Sequence, residues 1–92
     1  MKSLHLLITG RVQGVGFRDW LIHEATRRGL TGWVRNVNRD KVEAAICGQD
    51  DAVDDCVQRC WQGPSLAEVN NISITDAPPP EEAGFRRRSS IS

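Results

Sequence analysis

Along this chain of 92 residues the spacing of apolar side chains switches between a period of two and a period of about 3.6, in an order few folds accommodate. Leu4, Leu6 and Ile8 alternate with His5, Leu7 and Thr9, which predicts a strand over Lys2–Thr9. Gly10 to Gly16 breaks that strand with three glycines in seven residues. Phe17, Trp20, Leu21 and Ala25 then follow a helical stripe that runs to Arg28, with Gly29 as its C-terminal stop. Leu30–Asn36 and Lys41–Cys47 read as strands; in the latter Val42, Ala44 and Ile46 alternate against Glu43 and Ala45. Val37–Asp40 is short enough to join the two as a hairpin. A second helix is predicted from about Asp50 to Gln62, with Asp50, Asp51, Asp54 and Asp55 toward its N-terminus, where the helix dipole favours negative charge. Its buried stripe is expected to be Val53, Cys56, Val57, Cys60 and Trp61, and Gly63-Pro64 ends it. Val69–Thr75 is a fourth strand, with Ile72 and Ile74 on one face. Ala77–Glu82 follows as a proline-rich connector, and Phe85–Ser89 is a short last strand.

The order β-α-β-β-α-β plus a short β predicts a ferredoxin-like α/β sandwich. In that fold a mainly antiparallel sheet carries both helices on one face. The length allows one domain over 1–92, with an ordered core of about 2–89. Strands 1 and 2 must run parallel with strand 3 between them, so the end of strand 1, the start of helix 1 and the end of strand 2 meet at one edge. Asn36 shares a face with Val34, the face the helices cover, and is expected to point toward the glycine loop at a lateral distance of roughly 10 Å.

Twelve Lys and Arg balance twelve Asp and Glu. Zero net charge speaks against a protein acting through a long-range field on nucleic acid or on an anionic membrane, so an anion site here must be local. No apolar run approaches transmembrane length and the first residues lack a signal-peptide core, which predicts a soluble, cytoplasmic protein. Cys47, Cys56 and Cys60 are odd in number and form no C-x-x-C, so they are expected to be reduced thiols.

The local site is the stretch Gly10-Arg11-Val12-Gln13-Gly14-Val15-Gly16-Phe17-Arg18. It leads from a strand into a helix N-terminus, where unpaired amides and the dipole favour a phosphate. Arg18 adds a guanidinium in the first turn. The stretch is not a phosphate loop of the Walker type, since no Gly-Lys-Ser/Thr closes it, and Asp19 stands where a dinucleotide-binding loop needs its third glycine. On these grounds alone it is equally a plain glycine-rich turn with a solvated arginine.

Together with Gly29-Leu30-Thr31-Gly32-Trp33-Val34-Arg35-Asn36, this string resembles the two signature segments of the acylphosphatase family. The likeness extends to Val42-Glu43, Gly63-Pro64 with Val69 after it, and Phe85-Arg86. The resemblance implies the ferredoxin-like fold and hydrolysis of a carboxylic-phosphoric anhydride without metal or cofactor. It implies that Arg18 binds phosphate, that Asn36 orients the water, and that Gln13, Gly14, Val15, Gly16, Phe17 and Arg18 form the phosphate-binding loop. The partner would be a small acyl phosphate, with no nucleic acid or membrane, and the family-like state is a monomer. The second hairpin departs from the family: Asn38-Arg39-Asp40-Lys41 replaces an Asp-Gly turn, and an Asp is expected to take the left-handed position.

The reaction asks little of the chain. A carboxylate whose conjugate acid has a pKa of about 4 departs without a general acid, so no catalytic histidine is required. His5 and His23 are accordingly read as surface residues, and Cys56 and Cys60 as core. Trp20 and Trp61 are read as core, Trp33 as partly exposed, and Arg86-Arg87-Arg88 as a solvated strand. Two alternatives stay open: a phosphate-binding regulatory module without turnover, and an RNA-binding sheet, against which stand the missing central-strand aromatics and the absent positive charge.

Overall fold

A computed structural model describes residues 1–81 and 83–92. Its elements are β1 (Lys2–Arg11), α1 (Phe17–Arg27), β2 (Thr31–Val37), β3 (Lys41–Gly48), α2 (Asp50–Cys60), β4 (Glu68–Asp76) and β5 (Phe85–Arg87). The strands lie in the order β4-β1-β3-β2-β5. All neighbours are antiparallel except β2 and β5. This is the ferredoxin-like arrangement that the change of periodicity predicts, with β3 between parallel β1 and β2.

One face of the sheet holds the core. Leu6 and Ile8 of β1, Val42, Ala44 and Ile46 of β3 and Val34 of β2 pack with Phe17, Leu21 and Ala25 of α1 and Val53, Cys56 and Cys60 of α2. Every one of these is fully or almost fully buried, which makes the two helices a single layer over the sheet. Cys47 is buried as well, and all three cysteines are free thiols.

Several details differ from expectation. The first strand runs two residues past Thr9, with a register shift at Thr9/Gly10. There Gly10, at φ 140°, lies so close to the backbone of Glu68 that a side chain has no room. Helix α2 stops at Cys60, so Trp61 leaves the helical stripe and is 43% exposed. Ile74 is likewise exposed, toward the end of the edge strand β4, whereas Ile72 on the same face is buried in the core. In the β2–β3 hairpin the left-handed residue is Asn38, at φ 55°, and not an aspartate; a short amide side chain tolerates that conformation nearly as well. The regular part of β5 ends at Arg87, two residues before Ser89. Glu82, the last residue of the expected connector, lies outside the described residues.

His5 is only partly exposed. Its Nε2 lies 2.6 Å from Glu43 Oε2, and Arg35 Nε donates to Glu43 Oε1 at 2.6 Å. Burial pushes the Glu43 carboxyl up, but the hydrogen bonds from His5 and Arg35 outweigh it and hold the group below its ordinary value. This cluster lies on the sheet face away from the helices, where Trp33 stacks with the guanidiniums of Arg35 at 5.0 Å and Arg88 at 4.4 Å.

Candidate active site

Gly16 caps α1 in the left-handed conformation, at φ 80° and ψ 20°, and no side chain caps the helix. The first intrahelical bond runs from the Trp20 amide to the Gly16 carbonyl, at 3.0 Å. The amides of Phe17, Arg18 and Asp19 therefore have no acceptor within the helix, which leaves a patch of aligned donors at the positive end of the dipole. Gly14, at φ 73°, bends the preceding turn, and a Cβ at Gly14 or Gly16 would meet open space. These two glycines thus serve backbone conformation and not close packing.

The loop faces the end of β2 as the fold requires. Asn36 pairs with Val42 on β3, and Val42 pairs with Ile8 on β1, so Asn36 stands level with the last turn of β1 two strands away. The side chain of Gln13 spans the gap. Its Nε2 donates to the carbonyls of Lys41 (2.9 Å), Val37 (3.1 Å) and Asn38 (3.2 Å). Expected only for its backbone, Gln13 ties the glycine loop to the hairpin that carries Asn36.

Between loop and strand lies a cleft of about 90 Å³, walled by Gln13, Gly14, Gly16 and Phe17 on the loop side. Arg18 and Asn36 line it too, so the two residues assigned to chemistry from sequence share one cavity. Val15 does not reach the wall; its side chain packs against the core. Phe17 is buried under the loop and meets Trp20 edge-on at 5.3 Å between ring centroids. Asn36 Oδ1 is buried and has no hydrogen-bond partner in the protein, an unusual state for a carbonyl oxygen.

Two lining residues escaped the sequence reading, Asp19 and Arg87. The segment after β5 continues along β2: Arg88 N–H donates to the Val34 carbonyl (2.9 Å), Ile91 N–H to that of Asn36 (3.0 Å), and Asn38 N–H to that of Ile91 (2.8 Å). Arg87 pairs with Val34 and so points to the helix side, where its guanidinium bonds the Asp19 carboxylate. Ser90 Oγ lies 3.5 Å from Arg18 Nη1. The Arg86–Arg88 run is therefore not a uniformly solvated strand. A usable signal was present: Phe85 is apolar and faces the core, so Arg87, two residues on, must share its face.

Among the described residues no group of three or more His, Cys, Asp or Glu is placed to hold a metal ion. No helix among the described residues is long and apolar enough to cross a membrane. The cleft offers directed amides, the Arg18 guanidinium and the Asn36 carboxamide, a set suited to an oxyanion and a water, with the Arg87–Asp19 ion pair beside them.

The acylphosphatase family profile matches residues 4–87. An acylphosphatase of Acidiphilium cryptum is 47% identical over 89 residues, covering 97% of this chain and 98% of that protein. Among solved structures, an acylphosphatase from Coxiella burnetii superposes with a TM-score of 0.90 at 33% identity, covering 95% of this chain and 92% of the other. One from Bacillus subtilis does so with a TM-score of 0.83 at 35% identity, covering 100% and 99%. With agreement along nearly the whole length in both sequence and fold, this chain belongs to the acylphosphatase family, the hydrolases of acyl phosphates.

Proposed function

We propose that this single domain hydrolyses the carboxyl–phosphate bond in the cleft between the glycine loop and Asn36. The phosphoryl group sits at the N-terminus of α1, where the amides of the loop from Gln13 to Phe17 and the Arg18 guanidinium hold its oxygens. These donors are fixed before substrate arrives, so charge that develops on the oxygens meets dipoles needing no reorganisation. The Asn36 carboxamide orients the attacking water opposite the carboxylate that leaves, and Gln13 holds the two halves of the site at a fixed separation. The leaving carboxylate needs no proton at neutral pH.

The observation that carries this reading is that Asn36, whose buried Oδ1 is orphaned, lines one cleft with Arg18. A buried acceptor without a donor costs free energy, and a side chain kept in that state beside Arg18 is accounted for by work on the substrate and its water. Hydrolysis of benzoyl phosphate tests the assignment. The rate should persist in EDTA and fall about 10²- to 10³-fold in Arg18→Ala. An unchanged rate in Arg18→Ala would refute it, and retained phosphate binding without turnover in the wild type would favour a regulatory module. The protein is proposed to work as a cytoplasmic monomer; three unpaired thiols suit a reducing compartment.

A further inference from the structure

We propose that Arg87 binds a negative charge on the acyl part of the substrate, which makes acyl phosphates bearing a carboxylate or a second phosphate the preferred class. The inference rests on the reading of the cleft as an acyl phosphate site. The cleft, at about 90 Å³, accepts a phosphoryl group against the loop amides and leaves little room beyond it. The acyl part must therefore lie at the mouth. Arg87 stands at that mouth: its side chain is 42% exposed, and its partner Asp19 is 78% exposed. Arg18, by contrast, belongs to the first turn of α1, beside the amides that meet the phosphoryl oxygens.

The partner of Arg87 sets the charge at the mouth. A carboxylate one residue after the phosphate-binding arginine repels an incoming anion, and Arg87 neutralises it. The exposed pair between them is weak, since water solvates both groups when they separate. An acyl carboxylate arriving at the mouth can replace Asp19 on the guanidinium, exchanging one oxyanion partner for another, while Asp19 turns to solvent. A neutral acyl group offers no such exchange and leaves the pair intact. Parallel pairing of β5 with β2 holds Arg87 beside Val34, two residues from Asn36, so the position of this charge is set by the sheet.

The test compares benzoyl phosphate with 4-carboxybenzoyl phosphate, which differ by one charge remote from the reacting bond. In Arg87→Gln, kcat/KM for the carboxylated substrate should fall about tenfold, the size expected for one charge-assisted hydrogen bond, while that for benzoyl phosphate changes less than about twofold. The loss should lie in KM with kcat unchanged, because the contact is equal in ground and transition states. Arg87→Lys should recover part of the preference, and Asp19→Asn should increase it by removing the competitor. Retained benzoyl phosphate turnover in Arg87→Gln serves as the control for folding. Equal losses on both substrates, or no loss on either, would overturn the role of Arg87 and leave the catalytic reading standing. Failure of the wild type to hydrolyse either compound would overturn both.

Discussion

Replacing Asn36 by alanine should separate activity from stability in a way that a structural asparagine would not. The backbone of Asn36 is held by β3 on one side and by the Ile91 amide, at 3.0 Å, on the other, and neither depends on the side chain. The Oδ1 atom has no hydrogen bond to lose. Truncation returns the free energy of burying an unpaired acceptor, about 1–3 kcal/mol, and forfeits the packing of a small side chain, of order 1 kcal/mol. The balance runs from about zero to about 2 kcal/mol in the variant's favour, so the folding free energy should not fall and Tm should hold or rise. Catalysis should respond differently. Loss of the water-orienting group is expected to cost about 10²- to 10³-fold in kcat, or about 3–4 kcal/mol of transition-state free energy. Urea unfolding and benzoyl phosphate hydrolysis on the same preparation measure both quantities. Destabilisation beyond about 2 kcal/mol would show that Asn36 serves the fold, and a kcat within threefold of wild type would show that it does not position the water.

Two further perturbations address the frame around the site. Glu24 is 6% exposed and accepts from Arg28 Nη1 at 2.8 Å. The bond from Arg28 holds its carboxyl below the ordinary value against the opposing effect of burial, with Arg27 adding to it. A carboxyl whose pKa is lower in the folded state contributes stability that is present above the unfolded value of about 4.3 and disappears as pH falls through the folded value. Glu24→Gln should therefore cost about 1–3 kcal/mol in urea unfolding at pH 7, and the gap to wild type should narrow as pH falls below about 4; a gap independent of pH would refute the assignment. Among the glycines, a Cβ at Gly32 would lie 1.8 Å from the Ala45 carbonyl oxygen, whereas one at Gly14 would meet nothing within 4 Å. Gly32→Ala is expected to lose several kcal/mol or fail to fold, and Gly14→Ala to lose only about 1–2 kcal/mol for its left-handed backbone, as differential scanning calorimetry would show.

What could be read from the sequence divides along physical lines. Periodicity is a property of single elements, and it placed Leu6, Ile8, Val34 and Val42 on the core face because each strand alternates independently of its neighbours. The order of elements then dictated which strands are parallel, and so put Asn36 opposite the glycine loop. The errors arise where a position depends on two elements at once. Trp61 follows the stripe of α2 in sequence but leaves it in space, because the helix ends one residue earlier. His5 finds Glu43 only through the pairing of β1 with β3, in which His5 faces Ala45 and Leu7 faces Glu43, a diagonal relation that spacing alone does not reveal.

Arg87 combines both kinds of information, and its case shows why an arginine run resists reading. Charge composition treats Arg86, Arg87 and Arg88 alike, yet alternation sends neighbours to opposite faces of the sheet. Arg88 goes to the Trp33 side, where it covers an indole ring at 4.4 Å, and Arg87 goes to the helix side, where it meets Asp19 in the cleft. A zero net charge over the whole chain is thus compatible with two guanidiniums and one carboxylate at a single small cleft. The local excess of positive charge comes from Arg18 and Arg87, which are far apart in sequence and brought together by the parallel pairing of β5 with β2. Where a domain has so few residues, the placement of individual charges by strand parity decides what it can bind, and their sum decides only how it behaves at long range.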